Sequence, residues 1–126
     1  MENFTIEATK YTPKINLNAQ KRIFNFSGKS YPENTFDFYS PVIKWIETYF
    51  ESTTNEGTKI DMDIIYFNSS SSKLFFDFFD ILEEAHQNGH KIEVNWFYDQ
   101  DNESAYEAGE DFQEDFENLP INLVEK

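Results

Sequence analysis

The sequence contains no cysteine, and that absence removes several classes of function at once. Without a thiol the chain cannot form a disulfide, bind zinc or an iron–sulfur cluster through thiolates, or use a cysteine nucleophile. Glycine is scarce too, with 4 residues in the chain, and no glycine-rich loop that would cradle a phosphate is present. No serine, histidine and aspartate set shows a recognisable local signature. We therefore predict a protein that is not an enzyme and has no cofactor.

Positive charge is also scarce. The chain has 10 Lys and Arg residues against 24 Asp and Glu residues, for a formal net charge of −14. Nucleic acids and anionic membranes are bound by clustered Lys and Arg, so we expect neither as a partner. The apolar runs are too short to span a membrane, and residues 1–3 do not open a signal sequence. We expect a cytoplasmic protein without membrane insertion.

Candidate metal ligands form no convincing set. His86 and His90 have the four-residue spacing that suits zinc on a helix, but Gly89 lies between them where that helix should end. Residues 99–110 match a calcium loop in part, yet Ser104 occupies the place where glycine is needed for the turn. We predict no metal site.

The acidic residues are concentrated in one stretch. Residues 99–117 include nine of them and no Lys or Arg. This composition fits a solvated helix face that keeps the protein soluble, and it also fits a docking surface for a basic partner. Both interpretations stay open.

The length and the aromatic content of the chain indicate how many domains it forms and what its core contains. A chain of 126 residues is large enough to bury its own core, so we predict a single domain over residues 1–126. Aromatic residues make up 18% of the chain, including 14 Phe. That content predicts a thick aromatic core or an aromatic interface.

Strands dominate the first third of the chain, and strands alternate with helices after residue 33. Alternating apolar residues predict a short strand at 4–8 and an antiparallel hairpin from 14–18 and 22–26, which 27–30 should end. Later strands are predicted at 59–67, 91–98 and 119–124, and helices at 36–50, 70–88 and 101–116. A kink or fresh start is expected at Pro41, and 51–58 is a predicted polar loop. This order predicts an α/β (α+β) fold with one mixed sheet packed with helices.

The most informative stretch is the junction from Tyr66 to Lys73, where an apolar strand meets four serines and then a helix. The run 64–67 is continuously apolar, which predicts a strand buried on both faces. Asn and Ser are favoured helix N-caps, and the free amides of a first helical turn attract anions such as a phosphoryl group. Serine-rich turns also occur as plain caps without further function. Composition alone does not decide between a phosphate site and a plain helix cap.

Three segments carry a resemblance to a known family: residues 60–84, Ser30-Tyr31-Pro32-Glu33-Asn34 and Asn95-Trp96-Phe97-Tyr98-Asp99. Through them the chain resembles the SiaC family of bacterial regulatory phosphoproteins over nearly its whole length. That family looks similar to the STAS-like anti-sigma-factor antagonists, whose regulatory serine also lies at a strand-to-helix junction. The resemblance therefore implies a STAS-like domain.

The same resemblance implies a partner-switching role in signal transduction. A histidine-kinase-like serine/threonine kinase would phosphorylate one hydroxyl, and a metal-dependent protein phosphatase would remove the phosphate. The unphosphorylated form would bind a diguanylate cyclase and so affect cyclic di-GMP and biofilm formation. The alternative is a switch like an anti-sigma-factor antagonist that acts on another effector.

The family motif also implies the site. Its phosphate acceptor follows Tyr-aliphatic-Asn, which corresponds here to Ser69, although this chain has serine where the best-known pattern has threonine. Ser70 is the adjacent alternative. The implied switch loop, which would contact the partner, comprises Asn68, Ser69, Ser70, Ser71 and Lys73. A second motif either contacts the partner or supports the serine loop: Tyr31, Pro32, Glu33 and Asn34.

Overall fold

The computed structural model describes residues 1–52 and 56–126. Its elements, in chain order, are β1 (Phe4–Ile6), β2 (Lys14–Asn18), β3 (Ile23–Ser30), α1 (Thr35–Ser52), β4 (Thr58–Phe67), α2 (Ser69–Gln87), β5 (Ile92–Tyr98), α3 (Glu103–Asp115) and β6 (Ile121–Glu125). The strands form one sheet in the order β1 to β6. β1, β2 and β3 pair antiparallel, whereas β3, β4, β5 and β6 pair parallel. The predicted α/β fold with a mixed sheet is confirmed.

The helices cover one face of this sheet. Each parallel step is a strand–helix–strand unit, and right-handed connections that advance in one direction place their helices on the same side. Along β4, Ile60 and Met62 are fully buried, whereas Lys59, Asp61 and Asp63 point to the other, more accessible face. Along β4, the opposite face is therefore polar.

A row of polar side chains crosses that uncovered face. Asn16, Asn25, Asp61, Asn95 and Asn122 lie opposite one another on five neighbouring strands. Asn95 Nδ2 donates to Asp61 Oδ1 at 2.9 Å, and Asn122 Nδ2 donates to Asn95 Oδ1 at 3.1 Å. Because a shift of one residue would move these side chains into the core, the row helps to fix the strand register.

The prediction that the end of β4 is buried on both faces is wrong. Ile65 is 45% exposed and Tyr66 is 54% exposed. The cause is a register shift, since Ile64 pairs with Gly28 and Tyr66 pairs with Lys29, which leaves Ile65 as an extra residue. Such a bulge interrupts the alternation of side chains. Ile64 and Phe67 therefore both reach the core, whereas the two residues between them face outward.

The predicted end of the hairpin at 27–30 is also wrong, because β3 continues to Ser30. Gly28 permits this continuation. It adopts a φ of +116° at the register shift, in the region that favours glycine. The strand can therefore bend past the irregularity and keep pairing with β4.

Helix α1 runs without a break through Pro41, so the predicted fresh start there is wrong. Pro41 is exposed, whereas Tyr39 and Val42 beside it are buried. Proline removes one backbone hydrogen bond, and burial of the neighbouring side chains outweighs that loss. The helix also includes residues 51 and 52 of the predicted loop, β4 begins at 58, and 53–55 lie outside the described residues.

The aromatic residues form much of the core. Phe24, Phe75, Phe79, Trp96 and Phe112 are at most 2% exposed, and many of their rings meet edge to face. An aromatic core is therefore confirmed. No helix in 1–52 or 56–126 is both long and apolar enough to cross a membrane.

Gly109 of α3 allows a close approach between this helix and the sheet. A Cβ atom there would lie 2.5 Å from Leu123 Cδ2 and 2.7 Å from Trp96 Cδ1. The Trp96 ring cannot move aside easily, because it is fully buried and its Nε1 donates to the Ala105 carbonyl at 2.9 Å. α3 therefore contacts the sheet at Gly109, where the helix has no side chain.

Gly109→Ala should destabilise the protein by about 1–3 kcal/mol through overpacking, although alanine favours helix. Gly57→Ala is the control for adding a methyl group, because a Cβ there meets no atom within 4 Å among the described residues. Urea unfolding of both variants measures the difference. Equal stabilities would contradict the close packing of α3.

Candidate functional site

The serine junction lies where the parallel strands end. β4 ends at Phe67 and α2 begins at Ser69, and α1 and α3 begin at the same edge because each also follows a parallel strand. All three helices have an asparagine N-cap. The Oδ1 atoms of Asn34, Asn68 and Asn102 accept from backbone amides three residues later at 3.0, 2.9 and 3.1 Å. In α/β sheets, ligands bind outside this edge.

The four serines of the junction have different environments. Ser69 and Ser70 are exposed, Ser71 is fully buried, and Ser72 is half-buried. Asn68, with an extended backbone, is the cap, so Ser69 is the first residue of the helix. The first-turn amides have no intrahelical acceptor, and the helix dipole favours an anion beside them. A phosphate on Ser69 or Ser70 would lie next to these donors.

Ser71 belongs to a buried group of three hydroxyls, which we call the hydroxyl cluster: Ser30, Tyr39 and Ser71. Ser30 Oγ lies 2.6 Å from Tyr39 Oη and 2.7 Å from Ser71 Oγ. Ser71 Oγ also donates to the Ser30 carbonyl oxygen at 2.9 Å. Burial raises the pKa of Tyr39 to about 12, against the opposing effect of its hydrogen bond to Ser30. The phenol therefore stays protonated at neutral pH.

The hydroxyl cluster fixes the start of α2 to the end of β3. The backbone N of Asn68 donates to the same Ser30 carbonyl oxygen at 3.1 Å. Ser71 was grouped with the switch loop, but its side chain points into the protein rather than toward a partner. Its position had a signal in the sequence, because 71, 75, 78, 82 and 85 share the buried face of α2. The roles of Ser30 and Tyr39 had no comparable signal.

The second motif lies beside the serine junction. Tyr31 is half-buried, Pro32 is buried and Glu33 is exposed, whereas Asn34 caps α1. The Tyr31 ring contacts the Tyr66 ring edge to face at a centroid distance of 5.6 Å. The structure therefore brings the two motifs together at one edge of the sheet.

Lys73 is the positive side chain of the predicted site. It is exposed and follows Ser69 by four positions, so both lie on the same face of α2. The two histidines, by contrast, are tied to the end of this helix, where His86 Nδ1 lies 3.0 Å from the His90 carbonyl oxygen. Within the described ranges, no three His, Asp or Glu side chains are grouped so that they could hold a metal ion.

Ser71→Ala should destabilise the protein by about 1 kcal/mol relative to Ser70→Ala, since only the first removes a buried hydrogen-bonding group. Both substitutions change serine to alanine in the first turn of α2, so their effects on helix propensity cancel. Thermal or urea unfolding supplies the comparison. Equal effects would show that the hydroxyl cluster does not contribute to folding.

Comparisons with known proteins agree on one family. The model of the SiaC family regulatory phosphoproteins matches residues 6–126. A protein of unknown function from Pseudomonas aeruginosa strain UCBPP-PA14 is 36% identical over 115 residues, which cover 91% of this chain and 90% of that protein.

Solved structures show the same likeness. Apo-SiaC from Pseudomonas aeruginosa has a TM-score of 0.90 at 33% identity, covering 98% of this chain and 99% of that one. SiaC of Pseudomonas aeruginosa in complex with the diguanylate cyclase SiaD, whose activator it is, has a TM-score of 0.91 at 34% identity over 98% and 99% of the two chains.

Proposed function

The chain belongs to the SiaC family of regulatory phosphoproteins, and we propose that it is a non-enzymatic switch whose unphosphorylated form binds and regulates a diguanylate cyclase. A serine/threonine kinase of the histidine-kinase-like class adds the phosphate, and a metal-dependent phosphatase removes it. The solved complex of the Pseudomonas SiaC with a diguanylate cyclase supports this partner over a sigma-factor inhibitor. The cytoplasmic location stays a prediction.

The observation that supports the proposal most is the division of roles at the junction. Asn68 caps the helix, and the buried Ser71 hydroxyl is bonded to Ser30, so phosphorylation of Ser71 would break a buried hydrogen bond. Ser69 is exposed and makes no side-chain hydrogen bond among the described residues. A kinase could therefore modify Ser69 while α2 stays folded. Ser70 shares this exposure and remains the alternative acceptor.

The phosphate would act mainly at the interface. It adds roughly −1.5 to −2 charges beside a helix N-terminus, whose attraction for an anion is about 0.3–1 kcal/mol when exposed and at most ~2 kcal/mol when partly buried. Lys73 on the same helix face can add to that attraction. The net charge of −14 opposes it. A partner packed over Ser69 would have to desolvate the phosphate, and that cost weakens binding.

Kinase and ATP should add one phosphate, about 80 Da, whose charge and oxygens are those of a phosphoserine. Peptide mapping should place it on Ser69, and Ser69→Ala should stay unmodified with an unchanged circular dichroism spectrum. Ser70→Ala is the matched control and should be phosphorylated normally. If Ser69→Ala is still phosphorylated and Ser70→Ala is not, then Ser70 is the acceptor.

Phosphorylation should weaken cyclase binding at least tenfold, about 1.4 kcal/mol. The comparison requires wild-type, Ser69→Ala and fully phosphorylated protein, titrated against the diguanylate cyclase by calorimetry. Ser69→Asp should weaken binding less, because a carboxylate has less charge and fewer oxygens than a phosphate. Equal affinities of the phosphorylated and unphosphorylated proteins would contradict the switch proposal. Tighter binding by the phosphoprotein would show that the phosphorylated form is the one that binds.

A further inference from the structure

A groove of about 730 Å³ lies close to the serine junction, between the loop that follows β1 and the segment that precedes α1. Its floor is apolar, because Ile6 and Phe38 are half-buried and pack against the core. Tyr11 and Tyr31 form an aromatic wall of the groove, because their rings meet edge to face at a centroid distance of 5.3 Å. The Tyr31 backbone N donates to the Tyr11 carbonyl oxygen at 2.8 Å, which holds the two residues together.

The rim of this groove is acidic. Glu7 and Glu33 line it, and neither of these exposed carboxylates forms a salt bridge within the described part of the chain. None of the described residues that line the groove is Lys or Arg. Nearby, Lys10 Nζ lies 5.8 Å from the centre of the Tyr11 ring. Aromatic faces attract cations, so the tyrosine rings and the two carboxylates both favour a positively charged ligand.

Exposed aromatic surface connects the groove to the serine junction. Tyr11 is 51% exposed and Tyr66 is 54% exposed. Tyr31 contacts both rings, and Tyr66 precedes Ser69 by three residues. Contiguous exposed apolar surface with a polar rim marks interaction sites, and tyrosine is enriched in them.

We propose that this groove, the tyrosine groove, docks a basic and apolar segment of the protein partner. An apolar side chain of that segment packs against the adjoining rings of Tyr11 and Tyr31, and its Lys or Arg residues pair with Glu7 and Glu33. For the identity of the partner, this inference rests on the proposed function. It adds an anchor separate from Ser69, because no residue of α2 lines the groove.

The groove itself is tested with a defined peptide, acetyl-KLFKLK-amide, added to ¹⁵N-labelled protein. The amide resonances of residues 6–12 and 31–38 should shift on binding. The double variant Glu7→Gln/Glu33→Gln should weaken binding about threefold to tenfold, as expected for the loss of two exposed ion pairs. The acidic analogue, acetyl-ELFELE-amide, should produce no shifts.

The matched control is Glu107→Gln/Glu110→Gln. It removes the same charge from exposed residues of α3, which packs beside β6 at the opposite end of the sheet from β1. This variant should bind the peptide like the wild type. Equal weakening by the two double variants, or shifts confined to residues 99–117, would overturn the tyrosine groove as a specific site.

The same variants, titrated against the diguanylate cyclase, separate the two proposals. Because no residue of α2 lines the groove, Glu7→Gln/Glu33→Gln should weaken cyclase binding both with and without phosphate on Ser69. If phosphorylation weakens cyclase binding but Glu7→Gln/Glu33→Gln does not, the groove proposal is wrong and the switch proposal stands. If the double variant weakens binding but phosphorylation does not, the switch proposal is wrong and the groove proposal stands.

Discussion

The bond between Ser71 and the carbonyl oxygen of Ser30 is the constraint on which the site depends. It joins the start of α2 to the end of β3, although the two residues are separated by 41 positions. A serine on an apolar helix face is costly to bury unless its hydroxyl is satisfied. Ser30 satisfies it through its hydroxyl and its carbonyl oxygen, and Tyr39 in turn bonds to the Ser30 hydroxyl. These bonds set where Asn68 and Ser69 lie relative to Tyr31.

The helices cover only one face of the sheet, and the candidate functional residues lie together at one edge of it. The helices pack on one face over the aromatic core, and the other face carries the polar row. At the carboxyl edge, a bulge turns Ile65 and Tyr66 outward beside the helix N-termini. Exposed aromatic side chains, free helix amides and the candidate phosphate acceptor therefore occur together. The acidic residues of α3 lie mostly on its exposed side, as expected for a solvated helix face.

Much of this arrangement could be predicted from local pattern. The apolar period located α2 to within one residue at its start, and Gly89, with a φ of +106°, follows its end as expected. The buried position of Ser71 could have been read from the same period. The bulge at Ile65 could not, because alternation along one strand says nothing about an extra residue relative to its neighbour. Continuity of α1 through Pro41 likewise depends on burial that only the tertiary structure supplies. The family resemblance was correct, whereas the roles it implies for individual residues stay predictions.

The cap, Asn68, and the candidate acceptor, Ser69, are different residues, and this has a consequence for how such a switch would be regulated in a cell. If the modified serine were itself the N-cap, phosphorylation would remove a hydrogen bond that holds the helix, and losses of 1–2 kcal/mol can alter protein abundance several-fold. Here the cap is Asn68, so modification of its neighbour leaves that bond intact. The two forms should then be degraded at similar rates. The signal would be carried by the fraction of molecules modified and not by the amount of protein, which lets the opposing enzymes reset it without new synthesis.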